Sequence, residues 1–303
     1  MPATGPNAYA AALMRSLLFT PADGGKKLDK ALTCGADAVI VDLEDSIASN
    51  RKGQARASAA AFLKAAAGEA KRPFLCVRIN GLATGLIDAD LDAVVQAGPD
   101  AIMLPKAEGG AALLHADAKL SAREAIAGLT HGHIKIIVMA IETAAGLFLA
   151  GTFRQKSARL IGVSWGAEDL AAELGAETNR EADGRYTAPY VLARTLCLAA
   201  AATAEVQPIE TIYMDYRDTE GLKRDSETAR RDGFTGRLAI HPLQVPIINE
   251  VFTPSAAALA NARAIVAAFA ASPGAGVVGI EGVMYDRPHL ARAQQLIARA
   301  LAE

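Results

Sequence analysis

The amino-acid sequence predicts an α/β protein built as a closed (β/α)8 barrel with a C-terminal helical extension. Apolar runs rich in Ile and Val alternate with segments of helical period. Eight such runs precede residue 245, and charged side chains gather where the runs end, the side on which parallel α/β proteins bind ligands. An open doubly wound sheet is the alternative reading of the same alternation. The expected division is a barrel over 1–245 and an extension over 246–303, because 303 residues exceed the ~250 of a typical barrel.

Taken in order, strands are expected at residues 15–20, 38–43, 73–79, 101–105, 134–141, 160–164, 211–214 and 236–240. Each is a short apolar run of the kind buried on both faces. Helices are expected at 26–34, 52–69, 86–97, 109–126, 143–149 and 222–232, with at least one more between 170 and 206. Past the eighth strand come an Ala-rich helix over 255–271, the turn SPGAGVVG, a short strand-like piece and a last helix from Pro288. A barrel needs none of this for its own core, so the extension is expected to pack on a neighbouring subunit or to cap the site.

Composition narrows the function. Net charge is −2 and no basic block stands out, which argues against a nucleic-acid partner. No run approaches ~20 uninterrupted apolar residues, and MPATGPNAYAAALMR lacks a charged start before an apolar stretch, so neither a membrane span nor a signal peptide is expected. Cys34, Cys76 and Cys197 are widely spaced with no CxxC. They are expected as buried small hydrophobes in a reducing, cytoplasmic compartment.

Chemistry is concentrated at the strand ends. Glu142 closes IKIIVMAIE and Asp169 closes RLIGVSWGAED, so neighbouring strands would deliver two carboxylates to one mouth. Oxygen-only ligands suit Mg²⁺ or Mn²⁺ rather than zinc; alternatively, both acids serve free backbone N–H groups at helix starts. In VIVDLEDSI three acids, Asp42, Glu44 and Asp45, crowd into four positions. Like charges repel unless a cation is close, which makes Glu44 and Asp45 supporting groups around a metal, or else an exposed acidic helix start. Arg78 in FLCVRIN is a substrate clamp or half of an ion pair with these acids. Lys106, after the fourth strand, reads as a salt bridge in preference to a Schiff base. Trp165 shapes a pocket wall or fills the barrel mouth, the five histidines form no ligand pair, and Asp286 in MYDRPH reads as a turn residue capping the last helix.

The segments RSLLFTPAD, VIVDLEDSI, VRIN, MLPKAE, IETAAG, GAEDL, AIHPLQVPIINEVFTP and MYDRPH occur in this order. Together they resemble the citrate lyase β-subunit-like branch of the HpcH/HpaI aldolase superfamily, which includes the malyl-CoA, β-methylmalyl-CoA and citramalyl-CoA lyases. The resemblance implies a (β/α)8 barrel assembled as a homotrimer or homohexamer. It implies a Mg²⁺-dependent carbon–carbon lyase that cleaves or forms a 3-hydroxyacyl-CoA thioester, with an acyl-CoA and a 2-oxo acid as partners. By the same resemblance Glu142 and Asp169 hold Mg²⁺, with Mn²⁺ as the alternative ion, and Arg78 holds the oxo acid. Phe19, Lys26, Lys30, Ile240 and Pro242 border the CoA, and Asp286 is the acid/base, supplied by an adjacent subunit. Glu281 stands where an aspartate is more usual, and the absence of histidine from DLEDSI separates the chain from the class II HpcH-type aldolases. Rival readings are a citryl-type lyase subunit acting on an acyl-carrier protein, a malyl-CoA thioesterase, a metal-dependent aldolase on free oxo acids, and a non-catalytic CoA-ester-binding protein.

Overall fold

The structure, a computed structural model, describes residues 14–69 and 71–301; residues 1–13, on which the signal-peptide expectation falls, lie outside them. The described residues divide into two compact units, 14–250 and 251 onward. The division falls inside a helix, a few residues past the boundary expected at 245.

In the first unit β1 (Ser16–Pro21), α1 (Lys26–Ala31), β2 (Ala38–Asp42), α2 (Lys52–Ala66), β3 (Phe74–Arg78), α3 (Ile87–Val94), β4 (Ala101–Leu104) and α4 (Gly109–Ala127) alternate. The pattern continues with β5 (Lys135–Ile141), α5 (Ala144–Leu149), β6 (Leu160–Trp165), α6 (Ala167–Leu174), α7 (Ala188–Ala204), β7 (Gln207–Glu210), α8 (Thr219–Asp232) and β8 (Gly236–Ala239). All eight strands are parallel, and Leu17 pairs with both Ala38 of β2 and Leu238 of β8, so the sheet closes. Period-2 alternation fixes what fills it: Leu17, Ile40, Cys76, Met103, Ile137 and Met139 belong to one buried cluster. Continuing that alternation by two residues carries Asp42 on β2 and Arg78 on β3 to the rim, where the register pairs them directly.

Three expectations need correction or extension. The seventh strand is Gln207–Glu210, not 211–214. Its sequence, QPIE, contains a proline and two residues that are polar yet buried, so neither propensity nor hydropathy marks it as a strand. The segment between 170 and 206 holds two helices, α6 and α7, and α6 begins ahead of it at Ala167. Cys34 is half-buried, its Sγ donating to the Ala31 carbonyl at 3.2 Å, whereas Cys76 and Cys197 are buried.

The chain continues through α9 (Val245–Phe252) to α10 (Ala256–Ala271), β9 (Val277–Ile280), β10 (Val283–Asp286) and α11 (Arg287–Leu301). Pro242–Ala271 has the length and mean hydropathy, 1.3, of a membrane span. It is nevertheless interrupted at 253–255, between α9 and α10, and a helix facing lipid leaves no such break unsatisfied. In the second unit Ser255 caps α10, its Oγ accepting from Ala258 N at 3.2 Å. Ala262, Ile265 and Phe269 of that helix pack with Val278 and Ala293. The single strand-like piece expected after the SPGAGVVG turn is an antiparallel hairpin, β9 with β10. Its connecting residues, Glu281 (φ 49°) and Gly282 (φ 81°), are both left-handed. Two-residue hairpin turns of this type favour Asp-Gly or Asn-Gly, so Glu281 holds a backbone conformation that aspartate or asparagine adopts more readily.

Candidate metal and substrate site

The rim is built from an excess of acids. Arg78 grips Asp42 side-on, Nε to Oδ1 at 2.7 Å and Nη2 to Oδ2 at 2.8 Å, and its Nη1 lies 2.9 Å from Glu44 Oε2. Its guanidinium stacks 4.7 Å from the centre of the Phe19 ring. Burial raises the Asp42 carboxyl, but hydrogen bonding and charge from Arg78 more than offset it and hold the group below its ordinary range. Arg78 thus makes the ion pair anticipated from sequence and still borders the central cavity. The strand itself stops at Asp42, so Glu44 and Asp45 stand in the following loop. Lys52 fixes that loop by donating to Leu43 O and Glu44 O, both at 2.7 Å, and to Asn80 Oδ1 at 2.8 Å.

Glu142 immediately follows β5 and is 1% exposed. Alternation from Ile137 and Met139 would carry Ile141 to the interior. A register shift against β6 between Met139 and Ile141 changes the phase by one, and Glu142 lines the cavity instead. Its Oε2 accepts from the Lys106 backbone N–H at 2.6 Å, while Oε1, buried, has no hydrogen-bond partner. The carboxylate lies on Gly166. A Cβ built there would fall 2.8 Å from Glu142 Cγ and 2.9 Å from Oε1, so residue 166 must be glycine for room, its φ of −126° being open to any residue. Burial, followed by the charge of Asp169, pushes the Glu142 carboxyl up to about 8.

Asp169 does not close β6 as the sequence suggested; it sits in the first turn of α6, four residues beyond the strand. Its Oδ1 lies 3.2 Å from Lys106 Nζ, which also meets Glu44 Oε1 at 2.6 Å and Asp45 Oδ2 at 3.5 Å. Lys106 is therefore the salt-bridge residue expected, but with three acids at once. Four carboxylates (Asp42, Glu44, Asp45 and Asp169) thus share two cationic side chains, Arg78 and Lys106, and a fifth, Glu142, takes only the Lys106 backbone N–H.

Such a set fits a hard divalent cation. It offers oxygen donors only, a surplus of negative charge, and one buried carboxylate oxygen left without a partner. Among the described residues no group of three or more His, Cys, Asp and Glu converges as a full ligand cage. Two protein carboxylates with the remaining positions open is the pattern Mg²⁺ favours.

The cavity above the barrel core measures about 260 Å³. Of the residues singled out from sequence, Phe19, Asp42, Arg78, Glu142, Asp169 and Ile240 border it. Glu44 and Asp45 stand behind that lining in the ion-pair network. Lys26 and Lys30 are exposed on the six-residue α1, and Pro242 opens a short 3-10 turn after β8; none of these three borders the cavity. Ser46, Gly166 and Thr211 border it and were not anticipated. Only the glycine of WGAED offered a sequence signal, since Thr211 was assigned to a strand it merely follows. Trp165 is fully buried, its Nε1 donating to Glu210 Oε1 at 2.7 Å, which makes it filling rather than pocket wall.

In the second unit Asp286 ends β10 instead of lying in a turn, and its Oδ1 accepts from His289 N at 3.4 Å at the start of α11. Its carboxyl also meets the His289 ring, and that hydrogen bond holds it below the ordinary carboxylate range.

Residues 15–242 match the family described as HpcH/HpaI aldolase/citrate lyase. The chain is 36% identical to the (3S)-malyl-CoA thioesterase of Cereibacter sphaeroides, covering 97% of each chain. It is 32% identical to the mitochondrial citramalyl-CoA lyase of Rattus norvegicus, covering 94% of this chain and 86% of the relative. The crystal structure of CitE from Mycobacterium tuberculosis in complex with magnesium, acetoacetate and coenzyme A superposes with a TM-score of 0.74 at 33% identity, covering 96% of this chain and 99% of that one.

Proposed function

This chain belongs to the HpcH/HpaI aldolase/citrate lyase family, and on that premise we propose that it is a Mg²⁺-dependent lyase acting on a 3-hydroxyacyl-CoA thioester of the malyl-CoA or citramalyl-CoA type. The observation that carries this reading is the pair Glu142 and Asp169 at the cavity beside Arg78, with Glu142 Oε1 buried and unpartnered. Mg²⁺ held by the two carboxylates, or Mn²⁺ in its place, supplies a Lewis acid and a template for the oxygens of the oxo-acid half.

The chain's own residues supply the rest. Arg78 is steadied by Asp42, Glu44 and Phe19, and its remaining N–H donors face the substrate carboxylate. In the cleavage direction the substrate hydroxyl gives its proton to water and becomes the carbonyl of the 2-oxo acid. The electrons of the broken carbon–carbon bond pass to the thioester enolate, and Asp286, brought by a neighbouring copy in a homotrimer or homohexamer, acts at the enolate carbon: as a carboxylate it takes a proton from that carbon in the condensation direction, and once protonated from solvent it returns one there in cleavage. Phe19 and Ile240 line the approach of the thioester, with Lys26, Lys30 and Pro242 further out toward the nucleotide end of CoA. A cytoplasmic location belongs to the same reading.

The test incubates the purified protein with Mg²⁺, acetyl-CoA or propionyl-CoA, and glyoxylate, pyruvate or oxaloacetate in turn, and identifies condensation products by mass. One oxo acid should yield a 3-hydroxyacyl-CoA; no product from any pair contradicts the lyase reading. The 36% identity to a malyl-CoA thioesterase favours one second reading. Release of free CoA with an intact hydroxy acid, without carbon–carbon cleavage, would identify that activity instead.

A further inference from the structure

Lys106 touches both proposed metal carboxylates by different means. Its φ of 48° lies in the left-handed region that lysine seldom adopts. That conformation lets the backbone N–H reach Glu142 Oε2 at 2.6 Å while the side chain reaches Glu44 Oε1 at 2.6 Å and Asp169 Oδ1 at 3.2 Å. Neither neighbouring cation could take over this task. Lys52 has its ammonium on two carbonyls and Asn80, and Arg78 is engaged by Asp42 and Glu44.

We infer that Lys106 is a resident counter-cation: its ammonium holds Asp169 and the acidic loop together until a divalent ion binds, then gives up Asp169 and rests on Glu44 and Asp45. The inference builds on the reading of Glu142 and Asp169 as the metal pair and adds a sign to it. An ammonium a few ångströms from an incoming divalent ion repels it, so Lys106 weakens ion binding. The same charge relieves repulsion among the acids, so it stabilises the ion-free form. Asp45, 58% exposed at its side chain and already paired with Nζ at the long distance of 3.5 Å, has room to close on the ammonium as Asp169 is released.

The test compares wild type, Lys106→Asn, Lys106→Arg and Asp169→Asn by Mn²⁺ titration, read by electron paramagnetic resonance, and by thermal unfolding with and without Mn²⁺. Asparagine tolerates the left-handed backbone, keeps the N–H bond to Glu142 and removes the charge. Lys106→Asn should bind Mn²⁺ about ten-fold more tightly, the removal of one screened charge repulsion. It should also show a lower Tm without the ion and a larger Tm gain with it. Lys106→Arg should restore affinity and Tm to near wild type. Unchanged or weaker Mn²⁺ binding by folded Lys106→Asn overturns the inference, and Lys106→Gly, which relaxes the positive φ, supplies the same readout if the asparagine variant does not fold. Failure of the underlying metal reading looks different: either wild type shows no saturable Mn²⁺ binding, or Asp169→Asn binds as tightly as wild type.

Discussion

Two clusters of buried charge lie at opposite ends of the barrel, one before β5 and β6 and one beyond them, and they are wired in opposite senses. Before the strands, Arg159 is 2% exposed and every donor of its guanidinium is used. It gives Nε to Asp117 Oδ1 (2.6 Å), Nη1 to Glu124 Oε1 (2.7 Å) and Ile134 O (3.1 Å), and Nη2 to Glu124 Oε2 (2.7 Å) and Ser121 Oγ (2.9 Å). Despite burial, hydrogen bonds from Ser157 and Arg159 hold Asp117, and those from Arg159 and the backbone N–H groups of Ile134 and Gly132 hold Glu124, below the ordinary carboxylate range. Beyond the strands, four carboxylates share two cations, a fifth, Glu142, takes only a backbone N–H and is pushed up to about 8, and one of its oxygens has no partner. A closed network of this kind serves the fold, whereas an unfinished one is shaped for something it must still bind.

Deleting a charge at each end should break the comparison if it is wrong. The largest effect is expected from Arg159→Met, which strands two acids and should lower stability by about 3–5 kcal/mol in urea unfolding while leaving Mn²⁺ affinity unchanged. Because the folded pKa values of Asp117 and Glu124 are depressed, their contribution is present above the unfolded carboxylate pKa and is lost as pH falls through the folded values. Urea midpoints of wild type should therefore drop in acid, and those of Arg159→Met should drop less. An equally steep acid response in the variant would assign the lability elsewhere.

At the other end, Glu142→Gln and Asp169→Asn should act in the opposite way. Thermal stability of the ion-free protein should hold in Glu142→Gln, whose carboxyl is already pushed up by burial, and fall only slightly in Asp169→Asn, which gives up its contact with Lys106. The lyase rate of both should fall roughly 10²–10³-fold, the scale seen when a preorganised electrostatic group is removed. Near-normal turnover at saturating Mg²⁺ would contradict the metal assignment. A smaller and more specific effect is expected from Gly166→Ala. A methyl group within 2.9 Å of the Glu142 carboxylate must displace it, at a cost of about 1–3 kcal/mol if borne by the ion site. Mn²⁺ titration should show about ten-fold weaker binding; wild-type affinity would mean that the orientation of Glu142 is not what holds the ion.

Much of the barrel was legible because its strands are continuous Ile- and Val-rich runs, and Glu142, Asp169 and Arg78 were visible as charges where such runs end. What stayed hidden depends on features with no periodic signature. β7 is a short strand of buried polar residues. The register shift that turns Glu142 inward leaves no mark in the residue types. Asp169 belongs to a helix turn rather than a strand end, and the left-handed backbone of Lys106, which lets one residue serve two carboxylates, is adopted by a lysine where glycine or asparagine would have signalled it. Asp286 was legible as the cap of the last helix, which it is.

The central claim is that one divalent ion sits between Glu142 and Asp169. Anomalous scattering from crystals grown with Mn²⁺ tests it most directly. The account predicts a single strong peak bonded to Glu142 Oε1 and an Asp169 oxygen at about 2.1–2.2 Å, with the remaining ligands water or substrate. A peak placed elsewhere, or none at saturating Mn²⁺ with Lys106 still on Asp169, would contradict it.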